Sequence, residues 1–107
     1  MSVIRAQELR SLAFGSTGAS YVAVGSGFEK PAVIVKIQNN TDADMYFSFD
    51  GVVDHLMVPA ETTDVYDIGT NKRNNNGLVF AQGTVVYVKR LGTPTTGSVY
   101  VSMFNLK

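Results

Sequence analysis

The sequence predicts an all-β fold: a single-domain antiparallel β-sandwich, jelly-roll-like, with about eight or nine short strands. Three observations carry this. Short runs of β-branched and aromatic residues recur at roughly 8–12-residue spacing with turn residues between them. The stretch 33–67 places VIVKIQ, MYFSF and VVDHLMV around the turns NNTDAD and DG. Only residues 1–10 leave a helix open, because Val3, Ile4, Leu9 and Leu12 allow either a short helix or an extended segment. With no strong N-cap signal there, 1–10 is read as an arm and 11–107 as the sandwich.

The first strand is expected over 12–14 and is broken by Gly15-Ser16-Thr17-Gly18. The second spans 21–24 and closes at Gly25-Ser26-Gly27. Pro31 marks the entry to the next, where proline removes no ladder bond. Residues 32–38 form the clearest core strand, with Val33, Val35 and Ile37 on one face and Ile34, Lys36 and Gln38 on the other. Asn39-Asn40-Thr41-Asp42 is a turn, since short polar side chains bond the local backbone. A strand over 45–49 follows. Asp50-Gly51 predicts a type I′ hairpin turn, with residues 52–58 returning antiparallel. Pro59-Ala60 ends that strand, and 63–68 makes another. Residues 71–77, with Asn74, Asn75 and Asn76, are the most polar stretch and read as an exposed loop. A short strand at 78–81, one over 84–91, a second exposed loop over 92–97 with Thr95 and Thr96, and a last strand over 98–104 complete the chain. There is no internal repeat and no linker.

Composition narrows the partners. The 107 residues suit one domain able to bury a real core. There is no cysteine, so disulfides and thiolate metal sites are excluded. Nine basic residues balance nine acidic ones, with the signs mixed, and no basic stripe marks a nucleic-acid partner. No apolar run approaches a membrane span, and the first ten residues lack a signal-peptide core, so neither membrane nor signal-directed export is expected. Only 17 % of residues are charged, a low share for a small soluble domain that must cover much surface. That points to surface covered by another chain.

The strands support the same idea. A lone sandwich alternates apolar-in with polar-out, yet Tyr46, Tyr87, Tyr100 and Phe104 fall on the faces opposite the core set. Loops and the arm would cover them in one reading. In the other they contact neighbouring subunits, since aromatics are enriched at interface centres. The expected interface is Val3, Ile4, Leu9, Tyr46, Tyr87, Tyr100 and Phe104.

Reactive groupings are scarce. His55 is the only histidine; Asp54 beside it points to the other face of a strand, so a packed or surface histidine is the preferred reading. The acidic residues 42, 44, 50, 54, 64 and 67 lack the spacing of a calcium loop, and a plain turn is preferred for NNTDAD. No nucleophile elbow, phosphate loop or dinucleotide fingerprint occurs. Asn39-Asn40-Thr41 is formally a glycosylation sequon, expected to be unmodified. The loop 71–77 is read as solvated rather than as a sugar or phosphate site. No metal, cofactor or enzymatic activity is expected.

Several runs carry a resemblance: Ile37-Gln38-Asn39-Asn40-Thr41-Asp42, Ser48-Phe49-Asp50-Gly51, Asp54-His55, Tyr66-Asp67-Ile68 and Thr70-Asn71-Lys72. With them go 83–88, 97–102 and, more loosely, 10–14 and 21–25. Together they resemble a group of small structural proteins of tailed bacteriophages and prophages. The resemblance implies a virion component made in the bacterial cytoplasm and not an enzyme. A capsid decoration (cement) protein that clamps the major capsid protein is the first expectation, with homo-oligomeric copies. A neck or tail component, or a module binding host carbohydrate through 71–77 and 92–97, are the alternatives.

Overall fold

The computed structural model describes residues 4–67 and 80–106. Val3, Asn74, Asn75 and Asn76 therefore lie outside the described residues, as does half of the strand expected over 78–81; of the rest, Phe80 forms a single bridge to Ala32. The rest is all-β. The strands are β1 (Ile4–Ala6), β2 (Arg10–Ala13), β3 (Val22–Ala23), β4 (Ile34–Asn39), β5 (Met45–Ser48), β6 (Leu56–Val58), β7 (Thr62–Asp67), β8 (Tyr87–Arg90) and β9 (Ser98–Leu106). One 3-10 turn, Phe14–Ser16, follows β2.

The larger sheet runs β1-β9-β4-β7, with β2 also on β9; the smaller runs β3-β8-β5-β6. β1 and β2 share one edge of β9. Ala6 pairs with Phe104 and Arg10 with Val101, so four steps on one strand oppose three on the other. One extra residue is held there as a bulge, and β1 and β2 are one strand interrupted by it. Counted so, the strands stand 1-8-3-6 in one sheet and 2-7-4-5 in the other. This is the strand order of a jelly roll.

The inner faces make the core. Val35 and Ile37 of β4, Met45 and Phe47 of β5, Val88 of β8, and Val99, Val101 and Met103 of β9 are fully buried, joined by Val24, Phe28, Val58 and Val86. Each such side chain contributes about 1.5–3 kcal/mol by leaving water. The alternation expected in β4 is present: Val35, Ile37 and Asn39 are buried, while Ile34, Lys36 and Gln38 are half-buried on the outer face.

Three local expectations are corrected. The β5–β6 hairpin has no two-residue turn. β5 stops at Ser48 and β6 starts at Leu56, and only Gly51 in between has positive φ, at 77°. The reason lies in the side chains of Ser48 and Asp50, which bond the loop backbone in place of a ladder. The strand expected over 12–14 begins earlier, at Arg10, and gives way at Phe14 to the 3-10 turn, which Thr17 closes by donating its hydroxyl to the Phe14 carbonyl (2.7 Å). Finally, residues 4–6 of the stretch read as an arm pair into the larger sheet.

Candidate functional site

Two surfaces lie outside the core, one on each side of the sandwich. The first is the outer face of the larger sheet. Cross-strand neighbours share a face, so Ile34 stands beside Phe104, Lys36 beside Ser102 and Val65, and Gln38 beside Tyr100. Tyr100, Phe104, Ile34 and Lys36 are half-buried, and Val65 is 59 % exposed. Two of the expected interface residues, Tyr100 and Phe104, thus fall on one face. Lys36 makes no ion pair or hydrogen bond among the described residues.

The second surface is the outer face of the smaller sheet with the loop 49–55 above it. Tyr46 of β5 and Tyr87 of β8 are half-buried here. The Lys89 ammonium lies 4.8 Å from the Tyr21 ring centre and 5.3 Å from that of Tyr46, and 3.0 Å from Asp54 Oδ1. Tyr21 donates its hydroxyl to the same Asp54 oxygen. The Tyr21 bond, then Lys89, holds the Asp54 carboxyl below its usual range. Burial, then the Asp54 bond, pushes the Tyr21 phenol up. Lys89 thus covers the two rings and ties the residue leading into β3, β5 and the loop end together. Gly51 lies against Tyr87; a Cβ there would come 3.3 Å from the ring.

The loop is held by its own side chains. Asp50 Oδ1 accepts from the Val52 N–H (2.8 Å), the Val53 N–H (3.0 Å) and the Ser48 hydroxyl (2.8 Å). Those bonds, the Val53 and Val52 N–H first, bring the Asp50 carboxyl down to about 2. Ser48 Oγ accepts from the Asp50 (3.2 Å) and Gly51 (3.0 Å) N–H groups. His55 Nδ1 accepts from the Phe49 N–H at 3.0 Å. The loop tip that results presents Val52, 80 % exposed, and Val53, 53 % exposed.

Sequence reasoning missed that Ser48, Asp50 and His55 come together. They are the residue types of a hydrolase triad, but their bonding is that of a latch. Ser48 is fully buried and sits 3.4 Å from His55 Nδ1, a nitrogen already engaged by the Phe49 N–H. Asp50 bonds the serine, and its other oxygen is 4.0 Å from His55 Nε2. In a triad the acid orients the base and the base takes the serine proton; here Asp50 Oδ1, Ser48 Oγ and His55 Nδ1 each accept from loop backbone N–H groups. The expected turn residues Asp50 and Gly51 do build a turn, of another kind.

The other expected residues scatter. Leu9 is 55 % exposed at the bulge, and Ile4 pairs with Leu106 in β1. Beside Leu9, the Gln7 side chain donates to the Lys30 carbonyl and accepts from the Glu29 N–H, both at 3.0 Å. Thr95 and Thr96 are exposed but tethered. Asp42 accepts from the Thr95 N–H (2.7 Å), the Thr95 hydroxyl and the Thr96 N–H (3.4 Å). The Thr95 hydroxyl above all holds the Asp42 carboxyl below its usual range. Asn39 of the formal sequon is fully buried, its amide donating to the Ala43 and Val58 carbonyls at 2.9 Å and to that of Pro59 at 3.3 Å. The folded chain therefore does not offer that nitrogen to a glycosyltransferase.

Among the described residues no pocket opens on the surface, and no three of His, Cys, Asp and Glu gather as a ligand set. No family, curated protein or solved structure matches this chain.

Proposed function

We propose that the chain is a non-enzymatic structural subunit of a bacteriophage virion that works through the faces of its sandwich, most specifically as a capsid decoration protein bound to the major capsid protein. One observation carries the reading: the outer face of the larger sheet holds Ile34, Tyr100 and Phe104 half-buried around Lys36, with Val65 exposed beside them. An outward sheet face of a lone sandwich is ordinarily polar. An aromatic and aliphatic one is suited to burial against another chain. The jelly-roll order supports the reading, since that architecture recurs in capsid domains, and so does the resemblance of the turn and strand motifs to phage structural proteins. Many weak contacts repeated by symmetry would supply the affinity.

The test is the copy number of the chain in purified particles, by quantitative mass spectrometry against the major capsid protein. On the order of hundreds of copies is the expected result for a decoration protein. About three to twelve copies would move it to a ring at one vertex, in the neck or tail. Absence from the particles would overturn the proposal.

A further inference from the structure

The loop tip and the larger sheet's outer face lie on opposite sides of the sandwich. The tip rises from the smaller sheet, with Gly51 against Tyr87. The apolar face belongs to the other sheet. Within one molecule they cannot meet.

Their chemistry is complementary. The tip is a short apolar knob, Val52 and Val53, whose N–H groups are already capped by Asp50. A loop so fixed loses little conformational freedom on docking. At its base lies the Asp50 carboxylate, whose Oδ2 accepts none of the three loop bonds and lies 4.0 Å from His55 Nε2, and whose side chain is 50 % exposed. On the opposite side, the one cation among the outer-face residues of β4 and β9 is Lys36, with no partner among the described residues and with Ser102 and Val65 beside it and Ile34, Tyr100 and Phe104 on the same face.

We propose that copies of this chain dock front to back, the Val52-Val53 knob of one seating on the Tyr100, Phe104 and Val65 face of the next, with Asp50 meeting Lys36. This rests on the subunit reading above and names its contact. The occupant is a second copy because the same chain supplies both halves, matched in apolar character and opposite in charge. Such a contact is heterologous: it closes into a ring or runs on as an open row. It is suited to a ring or row of neighbours on a surface and does not make an isolated two-fold dimer.

The absence of cysteine makes a direct test available. Two full-length variants, Val52→Cys and Val65→Cys, are mixed and treated with a short bismaleimide. The expected product is a mixed crosslinked dimer well above either variant alone. Equal yields in the mixture and in the separate samples would overturn the front-to-back contact. In parallel, Val52→Asp with Val53→Asp removes the knob, and Lys36→Glu with Val65→Asp spoils the face. Each double variant is expected to show no concentration-dependent rise in sedimentation coefficient, and the mixture to form 1:1 dimers that grow no further. Self-association of either double variant like that of the unaltered chain would also overturn it. The crosslink does not depend on these variants folding. If both double variants enter purified particles at the normal copy number, this contact is wrong and the virion reading stands; if the unaltered chain is absent from particles, the virion reading falls whatever the crosslink gives.

Discussion

Arg10 shows how a single side chain fixes this fold. It is only 6 % exposed, and its guanidinium donates to the Ser26 carbonyl (3.3 Å), the Gly27 carbonyl (2.8 Å) and the Glu8 carbonyl, with Met103 sulfur at 3.3 Å. The fork geometry lets one residue tie β2 to the 25–27 turn and to its own bulge. Arg10→Met leaves those carbonyls without a donor and is expected to cost about 3 kcal/mol, read from urea unfolding. Arg10→Lys recovers only part, because an ammonium cannot span the same acceptors. Gly97 is the second such position. Its φ is 93°, and a Cβ would fall 2.0 Å from the Asn40 carbonyl oxygen. Gly97→Ala is expected to destabilise by about 3 kcal/mol or more, seen as a shift of the urea midpoint. Neither role was legible in the sequence. Arg10 looked like the end of an arm because its partners sit 16 and 17 residues away in a turn. Gly97 read as one loop glycine among several, since the carbonyl it must clear lies across the fold.

At the scale of elements, the 49–55 loop carries the clearest pH dependence. The Asp50 carboxyl titrates near 2 in the folded chain against 3.8 ordinarily. A folded-state value below the unfolded one adds stability above about pH 4, which is lost as pH falls through about 2. Asp42 and Asp54 are lowered as well and add in the same direction. The urea midpoint is therefore expected to fall between pH 7 and about pH 2.5. Asp50→Asn should make that fall smaller without abolishing it, and an unchanged fall would contradict the latch. The N-terminal strand gives a second prediction. Because β1 and β2 form an edge of the larger sheet and Gln7 pins the bulge to residues 29–30, deleting residues 1–10 is expected to lower Tm by about 10 °C or more. An unchanged Tm would mean the segment is dispensable to the fold. The period-two pattern of β4 was readable because it depends only on alternating side chains. Asp50-Gly51 located a turn but not its type, because Ser48 and His55, outside the dipeptide, decide where the loop N–H groups go.

For the whole molecule, the all-β class and the sandwich followed from strand spacing. The sheet order did not, because the neighbours in each sheet are mostly distant in sequence. β9 pairs with β1, β2 and β4, and a local pattern carries no trace of such pairings. The same limit applies to the surface: Tyr100 and Phe104 were readable as facing away from the core, but only the pairing of β9 with β4 brings them beside Ile34 and Lys36. On the proposed function, this outer face is covered in the assembled particle. Acylation of lysines in intact particles and in the free chain, compared by mass spectrometry, tests it with an internal control. Lys36 lies on the face, while Lys30 is exposed at a bend outside the strands of that sheet. Lys36 is expected to label several-fold more slowly in the particle than in the free chain while Lys30 changes little. Equal labelling of Lys36 in both states would contradict it.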